Sequence, residues 1–295
     1  MSETVAIYGL GNMGYPLAKR VAAQFPVKVF DLDQGRLIQA EKEMGAQLIT
    51  NPSDVADCHT VILCLPHPQI SLAVLEQIRD HLPTGAVIVE TSTVNPEDVQ
   101  RSAKALEGMD LRLIDASILA GVSQMEAGTA SLLLGGDPAA IATVKPVLSA
   151  IAEKQVSFGA LGTGAAAKVI NNAVAHAVMV VVAEAGSMAT ATGVDIQRLI
   201  GLLSDPEMGL HRPLTFRYAK RVVEGDYEGG MSLEAARKDS ELALALAQKT
   251  GVPLFAIQAS HSVYEMGVQA GHERDDYAAI AKLWAGWNKP AAPES

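Results

Sequence analysis

Lys168 heads a stretch reading KVINNAVAHAVMVVVAEAG, in which no further charge appears until Glu184. Apolar residues on almost every side predict a buried core helix, and an ammonium at its start has little bulk water to retreat into. Desolvation penalises the charged form of a lysine, so one placed this way either finds a partner or gives up its proton more easily. Enzymes use lysines of this kind for proton transfer. Asn172 lies four residues on, one turn along the same face. Two readings stand open on these residues. Lys168 is a proton-transfer group with Asn172 beside it, or it closes the preceding glycine-rich turn and snorkels to solvent.

A second constellation sits near the start of the chain. The run Val5–Tyr8 predicts a strand, and the turn after it reads Gly9-Leu10-Gly11-Asn12-Met13-Gly14 before a helical pattern begins. Gly9 permits the tight turn, Gly11 lets backbone approach a pyrophosphate, and Gly14 lets the helix pack close to the strand. Asn12 and Met13 fall at the helix N-terminus, which faces the anion. The next predicted strand ends in Asp31, where a carboxylate can accept both ribose hydroxyls of a dinucleotide. The same carboxylate repels the extra phosphate of NADP, so the pattern favours NAD. Arg36 falls in the following helix.

Ligands of sheets built this way bind beyond the carboxyl ends of the strands. Two further turns belong there, Leu65-Pro66-His67-Pro68 and Thr91-Ser92-Thr93. Leu65, Pro66 and Thr93 are expected at the cofactor and Ser92 at the substrate. His67, flanked by prolines, shapes its loop rather than acting as a base.

These residues need elements to hold them. Strands are predicted at Val5–Tyr8, Val27–Asp31, Gln47–Thr50, Val61–Leu65, Val87–Glu90, Leu111–Ile114, Ser131–Leu134 and Val156–Phe158. Helices are predicted between them near Gly14–Phe25, Gln34–Met44, Gln69–Asp80 and Pro96–Leu106, and over Pro138–Ala152. Strands alternating with helices imply parallel βαβ units and an α/β, doubly wound, mostly parallel sheet. After Gly164 only helical patterns follow, broken at Gly193, Asp205-Pro206, Gly229-Gly230 and Gly251. The expected division is a dinucleotide-binding domain over 1–163, an all-helical domain over 164–288 for substrate and assembly, and a loose tail over 289–295.

Composition narrows the class. A formal charge of −10 and the absence of any basic run speak against nucleic acid or an anionic membrane as partner. Arg212, Arg217, Lys220 and Arg221 read as a solvated helix face. Cys58 and Cys64 fit no metal spacing and no disulfide framework, and no other cluster suggests a metal. The apolar run Val169–Ala183 contains Asn171, Asn172 and His176 and is short for a membrane span. Strand-like residues begin at Thr4, where a signal peptide would lie. A soluble cytoplasmic protein acting on a small molecule is expected, with long Ala- and Gly-rich helices suggesting a homodimer or homotetramer.

Several ordered motifs together resemble the β-hydroxyacid dehydrogenase family. They are the turn Gly9–Gly14 continuing Tyr15-Pro16-Leu17-Ala18, the stretch Gly162-Thr163-Gly164-Ala165-Ala166-Ala167-Lys168 with Asn171 and Asn172, and Lys238-Asp239 in a later helix. The resemblance covers essentially the whole chain. It implies a Rossmann domain followed by a helical domain entered through a long interdomain helix. It also implies that Lys168 is the catalytic acid and base, that Asn172 orients it or the substrate hydroxyl, and that Lys238 lies near nicotinamide and substrate. On that reading a β-hydroxy acid is oxidised reversibly, its hydroxyl proton passing to Lys168 as hydride passes to the cofactor.

One departure bears on the substrate. The family's substrate loop usually runs aspartate, any residue, proline, valine, serine, glycine, glycine; here it reads Asp115-Ala116-Ser117-Ile118-Leu119-Ala120-Gly121. Losing a hydroxyl beside a carboxylate costs on the order of 1–3 kcal/mol of recognition. Leu119, Ala120 and Gly121 are expected at the substrate, with the Ala120 and Gly121 amides as remaining donors. The altered loop implies a bulkier, more apolar β-hydroxy acid, or one whose carboxylate is held elsewhere. Two rivals remain: an imine reductase on the same fold, whose members generally lack the lysine, and a non-catalytic dinucleotide-binding protein.

Overall fold

In β1 (Thr4–Tyr8), Val5 and Ile7 pack into one hydrophobic cluster while Ala6 and Tyr8 pack into another. A strand that buries both faces reads as a continuous apolar run, because helices cover the sheet on either side. β4 (Cys58–Leu63) and β5 (Val87–Glu90) follow the same rule. The structure, a computed structural model, describes residues 3–287; the tail expected over 289–295 lies outside them. The chain divides into two compact units between Ala173 and Val174.

The first unit is an eight-stranded sheet in the order β3-β2-β1-β4-β5-β6-β7-β8. Its other strands are β2 (Val27–Phe30), β3 (Gln47–Leu48), β6 (Arg112–Leu119), β7 (Ser131–Gly135) and β8 (Lys154–Ser157). Strand order reverses between β1 and β4, which creates the crevice where doubly wound sheets bind ligands. All pairings are parallel except β6 with β7. Those two strands are joined by a short connection holding only α5 (Val122–Glu126), and a parallel crossover needs a dozen residues or more.

The remaining helices of this unit are α1 (Gly14–Ala22), α2 (Gln34–Met44), α3 (Pro68–Ile78), α4 (Pro96–Lys104), α6 (Pro138–Thr143) and α7 (Lys145–Ile151), with the opening of α8 (Thr163–Thr192). The single helix expected over Pro138–Ala152 is two, because Pro146 cannot continue the ladder of the helix before it. The strand expected to stop at Ile114 continues to Leu119, so most of the presumed substrate loop is β-structure.

The second unit contains the rest of α8, α9 (Ile196–Ser204), a π-helical segment (Pro213–Val222), α10 (Leu233–Thr250), α11 (Ala256–Gln269) and α12 (Ala281–Trp287). Glu184 on α8 is buried and accepts the amides of Phe255, Ala256 and Ile257 at 2.6, 2.8 and 3.1 Å. A carboxylate thus satisfies the orphan donors at the start of α11. The basic group is not a plain solvated face: Arg217 and Arg221 turn toward the fully buried Asp276, at 3.4 and 3.8 Å. A larger correction concerns α8, which was expected in a core. Ile170, Val174, Met179 and Val180 are exposed. An apolar run shows that burial is favourable without saying which chain supplies the cover.

Candidate active site

The glycine-rich turn has the geometry its sequence requires. Gly9 has φ +98°, and a Cβ on it would strike the Cys64 carbonyl; a Cβ on Gly14 would strike the carbonyl of Gly9. Gly11 differs: nothing lies within 4 Å of where its Cβ would stand. The first and last glycines therefore close the turn, and the middle one leaves its backbone open to a ligand. Asp31 reaches back to the turn, its Oδ2 accepting the Leu10 amide at 2.5 Å and its Oδ1 the Asp33 amide at 2.8 Å. Asp33 in turn caps α2 through the amides of Gly35 and Arg36.

These residues wall one cavity of about 850 Å³, near the upper end for a ligand site. At one end stand Asp31, Leu32 and Phe30; along it lie Gly11, Asn12, Met13, Leu65, Pro66 and Thr93; Ser92, Ile118, Ala120 and Lys168 belong to the same wall. Asp31 and Lys168 are the only charged groups among them. The open backbone at Gly11 and the carboxylate at Asp31 fit a dinucleotide.

Lys168 is 9% exposed. Burial lowers its pKa below the ordinary 10.5, with no neighbouring charge offsetting the desolvation. Its place is fixed by Asp115, which is fully buried on β6 and accepts the amides of Gly162 and Ala165 at 2.6 and 2.7 Å. Desolvation holds the Asp115 carboxyl above its ordinary value, and the amides of Gly162 and Ala165 offset only part of that rise. Gly164 is required here, since a Cβ on it would strike both the Leu133 carbonyl and the Asp115 carboxylate.

A buried polar chain joins the two cofactor-side loops. The Ser92 amide donates to Glu90 at 2.9 Å, and the Ser92 hydroxyl accepts the Leu65 amide at 2.8 Å. Ser71 on α3 stands 3.5 Å from the same hydroxyl. Glu90 is 3% exposed, and burial raises its pKa. Cys64 also lines the cavity, its thiol pushed up to about 11 by burial, so at neutral pH it is no nucleophile.

Not every expected residue falls on this wall. Leu119 does not: alternation along β6 sends Ile118 and Ala120 to the cavity and Leu119 to a separate apolar groove with Leu133 and Phe158. Gly121 is outside it too, and its amide is already given to the Gln124 side chain at 2.8 Å. Asn172 is half-buried and lies 3.5 Å from the Asn171 amide nitrogen; neither asparagine lines the cavity. His67 is exposed and precedes α3 without lining it. Lys238 belongs to the second unit, exposed on α10 and 3.5 Å from Asp239.

Other wall residues went unnoticed in the sequence. Ile70, Ala73, Val74 and Gln77 of α3 line the cavity, and their spacing of three and four along a helix following a strand end is a signal that could have found them. Glu90 was visible as the one charge closing the apolar strand VIVE.

Residues 4–162 match the family described as NAD binding domain of 6-phosphogluconate dehydrogenase, and residues 162–284 match NAD-binding of NADP-dependent 3-hydroxyisobutyrate dehydrogenase. The chain is 29% identical to 2-(hydroxymethyl)glutarate dehydrogenase of Eubacterium barkeri, covering 96% of this chain and 95% of that one. It is 27% identical to mitochondrial 3-hydroxyisobutyrate dehydrogenase of Rattus norvegicus, covering 94% and 85%. An imine reductase structure from Pseudomonas sp. superposes with a TM-score of 0.83 at 24% identity, over 96% of this chain and all of that one, which speaks to the fold alone. The chain therefore belongs to the β-hydroxyacid dehydrogenase family of NAD(P)-dependent oxidoreductases.

Proposed function

We propose that this chain is a soluble, cytoplasmic β-hydroxyacid dehydrogenase that prefers NAD and uses Lys168 as general acid and base. The observation that carries the reading is a shared wall: the glycine-rich turn, Asp31 and a desolvated Lys168 border one cavity. A bound NAD supplies the hydride acceptor. Lys168, unprotonated, takes the hydroxyl proton of the substrate as its carbonyl forms, and in the reverse direction returns that proton to the carbonyl oxygen. The family resemblance assigns Asn172, one turn along α8 and off the cavity wall in this structure, to orienting that hydroxyl. The lysine favours this chemistry over an imine reductase, and a lysine desolvated in the cavity wall has no evident use in a protein that only binds the dinucleotide.

The preference for NAD rests on charge. A 2′-phosphate beside Asp31 would meet a carboxylate that already anchors the turn, with Asp33 two residues on. Arg36, in the helix that follows, lies over the Tyr15 ring, 5.4 Å from its centroid. The family matches change over at residue 162, which supports a dinucleotide-binding domain over 1–163 and a helical domain over 164–288. The exposed apolar residues of α8 support a homodimer or homotetramer that covers them.

The test is NADH formation at alkaline pH over a panel of short and bulky β-hydroxy acids, with NADP as comparison and Lys168→Ala as control. Turnover with NAD that disappears in the variant is expected. Silence across the panel, with NADH still bound, would overturn the reading.

A further inference from the structure

Helix α3 turns one stripe of side chains toward the cavity. Ile70, Ala73, Val74 and Gln77 stand at positions i, i+3, i+4 and i+7, so one helix face carries all four, and each lines the cavity. Three are apolar, and the fourth ends the stripe with an uncharged, exposed amide. Val74 is buried in the hydrophobic cluster against which Phe30 packs, and Phe30 immediately precedes Asp31. That shared cluster brings the stripe to the Asp31 end of the cavity. Leu32, just after Asp31, lines the same end and is 88% exposed.

These residues suit a flat group with apolar faces and a polar edge. Asp31 meets the ribose that carries the adenine of a dinucleotide, so the wall next to Asp31 is where the base must go. Leu32 gains from a ring laid over it, and Ile70, 39% exposed, offers a second apolar seat. Neither can tell one base from another, because every base has an apolar face. Gln77 can. Its side chain carries an acceptor oxygen and two N–H donors in one plane. They complement the amino group of adenine and the ring nitrogen beside it, the pairing by which glutamine reads adenine in nucleic acids. Gln69, the other amide on this wall, sits two turns away beside the Pro66 loop.

We propose that Gln77 is a specificity-determining residue for the base of the cofactor. It holds the amino edge of adenine, while Leu32 and Ile70 hold the face. The inference rests on the dinucleotide reading of this cavity and adds to it the residue that selects the base. It is independent of the chemistry at Lys168.

The experiment measures binding by calorimetry, without turnover. The ligands are NAD and etheno-NAD, in which a bridging ring removes the hydrogens of the adenine amino group. Wild type, Gln77→Met and Ile70→Ala are compared, with thermal melting to show that each is folded. Wild type is expected to bind NAD about fivefold more tightly than etheno-NAD, the scale of one hydrogen bond. Gln77→Met keeps the bulk of the side chain and loses the amide. It should weaken NAD by that factor, leave etheno-NAD unchanged and bring the two affinities together. Ile70→Ala should weaken both ligands alike and keep their ratio, since it removes only an apolar seat. Equal affinities in wild type would overturn the inference. So would a preference that survives Gln77→Met, because shape alone would then exclude the added ring. Either result leaves the dinucleotide reading intact, whereas failure of NAD to bind folded wild type removes that reading and this inference with it.

Discussion

The Asp115 carboxylate on β6 accepts the amide of Gly162 at 2.6 Å, just ahead of the helix that presents Lys168. A second bond, from Ala165 at 2.7 Å, ties the other carboxylate oxygen to the first turn of α8. The sheet thereby dictates where the lysine stands. An anion at a helix N-terminus also meets the favourable end of the helix dipole, which offsets part of the cost of burying Asp115.

Lys168 should show activity and stability pulling apart. Its folded pKa lies below 10.5 because burial disfavours the ammonium. Between the folded and unfolded values the unfolded chain binds more protons, so this group's contribution to stability rises with pH across that window. Oxidation needs the unprotonated lysine, so kcat/KM should climb with pH to a midpoint below 10.5. Lys168→Met removes the buried charge: thermal melting at pH 7 should be unchanged or raised, while turnover falls by roughly 10²–10⁴, the usual worth of a general base. A variant that melts early and keeps its activity would contradict this role.

Asp31 both anchors the turn and faces the cavity. Asp31→Asn keeps an oxygen for the Leu10 amide, which in the wild type sits 2.5 Å away, and removes the negative charge. NAD binding should weaken about tenfold from the lost charge-assisted bonds to ribose, and the NADP-to-NAD ratio of kcat/KM should rise. Fluorescence titration with NADH and NADPH reads both changes. An unchanged ratio would show that Asp31 takes no part in cofactor choice.

Ser92 connects the loops after β4 and β5 through the Leu65 amide and Glu90. Ser92→Ala leaves that amide without its partner, at a cost of about 1–3 kcal/mol, and loosens both loops at once. NADH affinity should fall while the pH profile of turnover stays in place, because the lysine is held by a separate anchor at Asp115. A shifted profile with unchanged affinity would instead place Ser92 at the reacting group.

Much of this was legible before the structure. The turn Gly9–Gly14 and Asp31 were readable because a backbone-and-phosphate site imposes glycine at fixed offsets and an acid at the end of the next strand. Lys168 was readable because a charge inside an apolar run is conspicuous. Other relationships depend on register. Whether Ile118 or Leu119 faces the cavity turns on the phase of one strand, and a shift of a single residue reverses every side chain. The sequence pattern ended that strand at Ile114, whereas β6 runs to Leu119, so the phase was not assigned. The Gln124 contact was hidden for a similar reason, since a side chain capping its own turn resembles any exposed polar residue. The exposure of α8 was beyond reach because the same apolar run serves a monomer's core or a subunit interface.

Glu184 offers a stability test well removed from the chemistry. Burial raises its pKa, but three amides, from Ala256, Ile257 and Phe255, outweigh that effect and hold the carboxyl below its ordinary 4.5. A carboxylate with a depressed folded pKa stabilises above its unfolded value, and the contribution is lost as pH falls through the folded one. Glu184→Gln keeps one acceptor oxygen and loses the charge, so at pH 7 the cap at the start of α11 should weaken by about 1–2 kcal/mol. Chemical denaturation at pH 7 and again below the folded pKa checks this: the gap between wild type and variant should be present at the first and close at the second. A gap that persists in acid would mean that shape rather than charge at position 184 holds α11 in place.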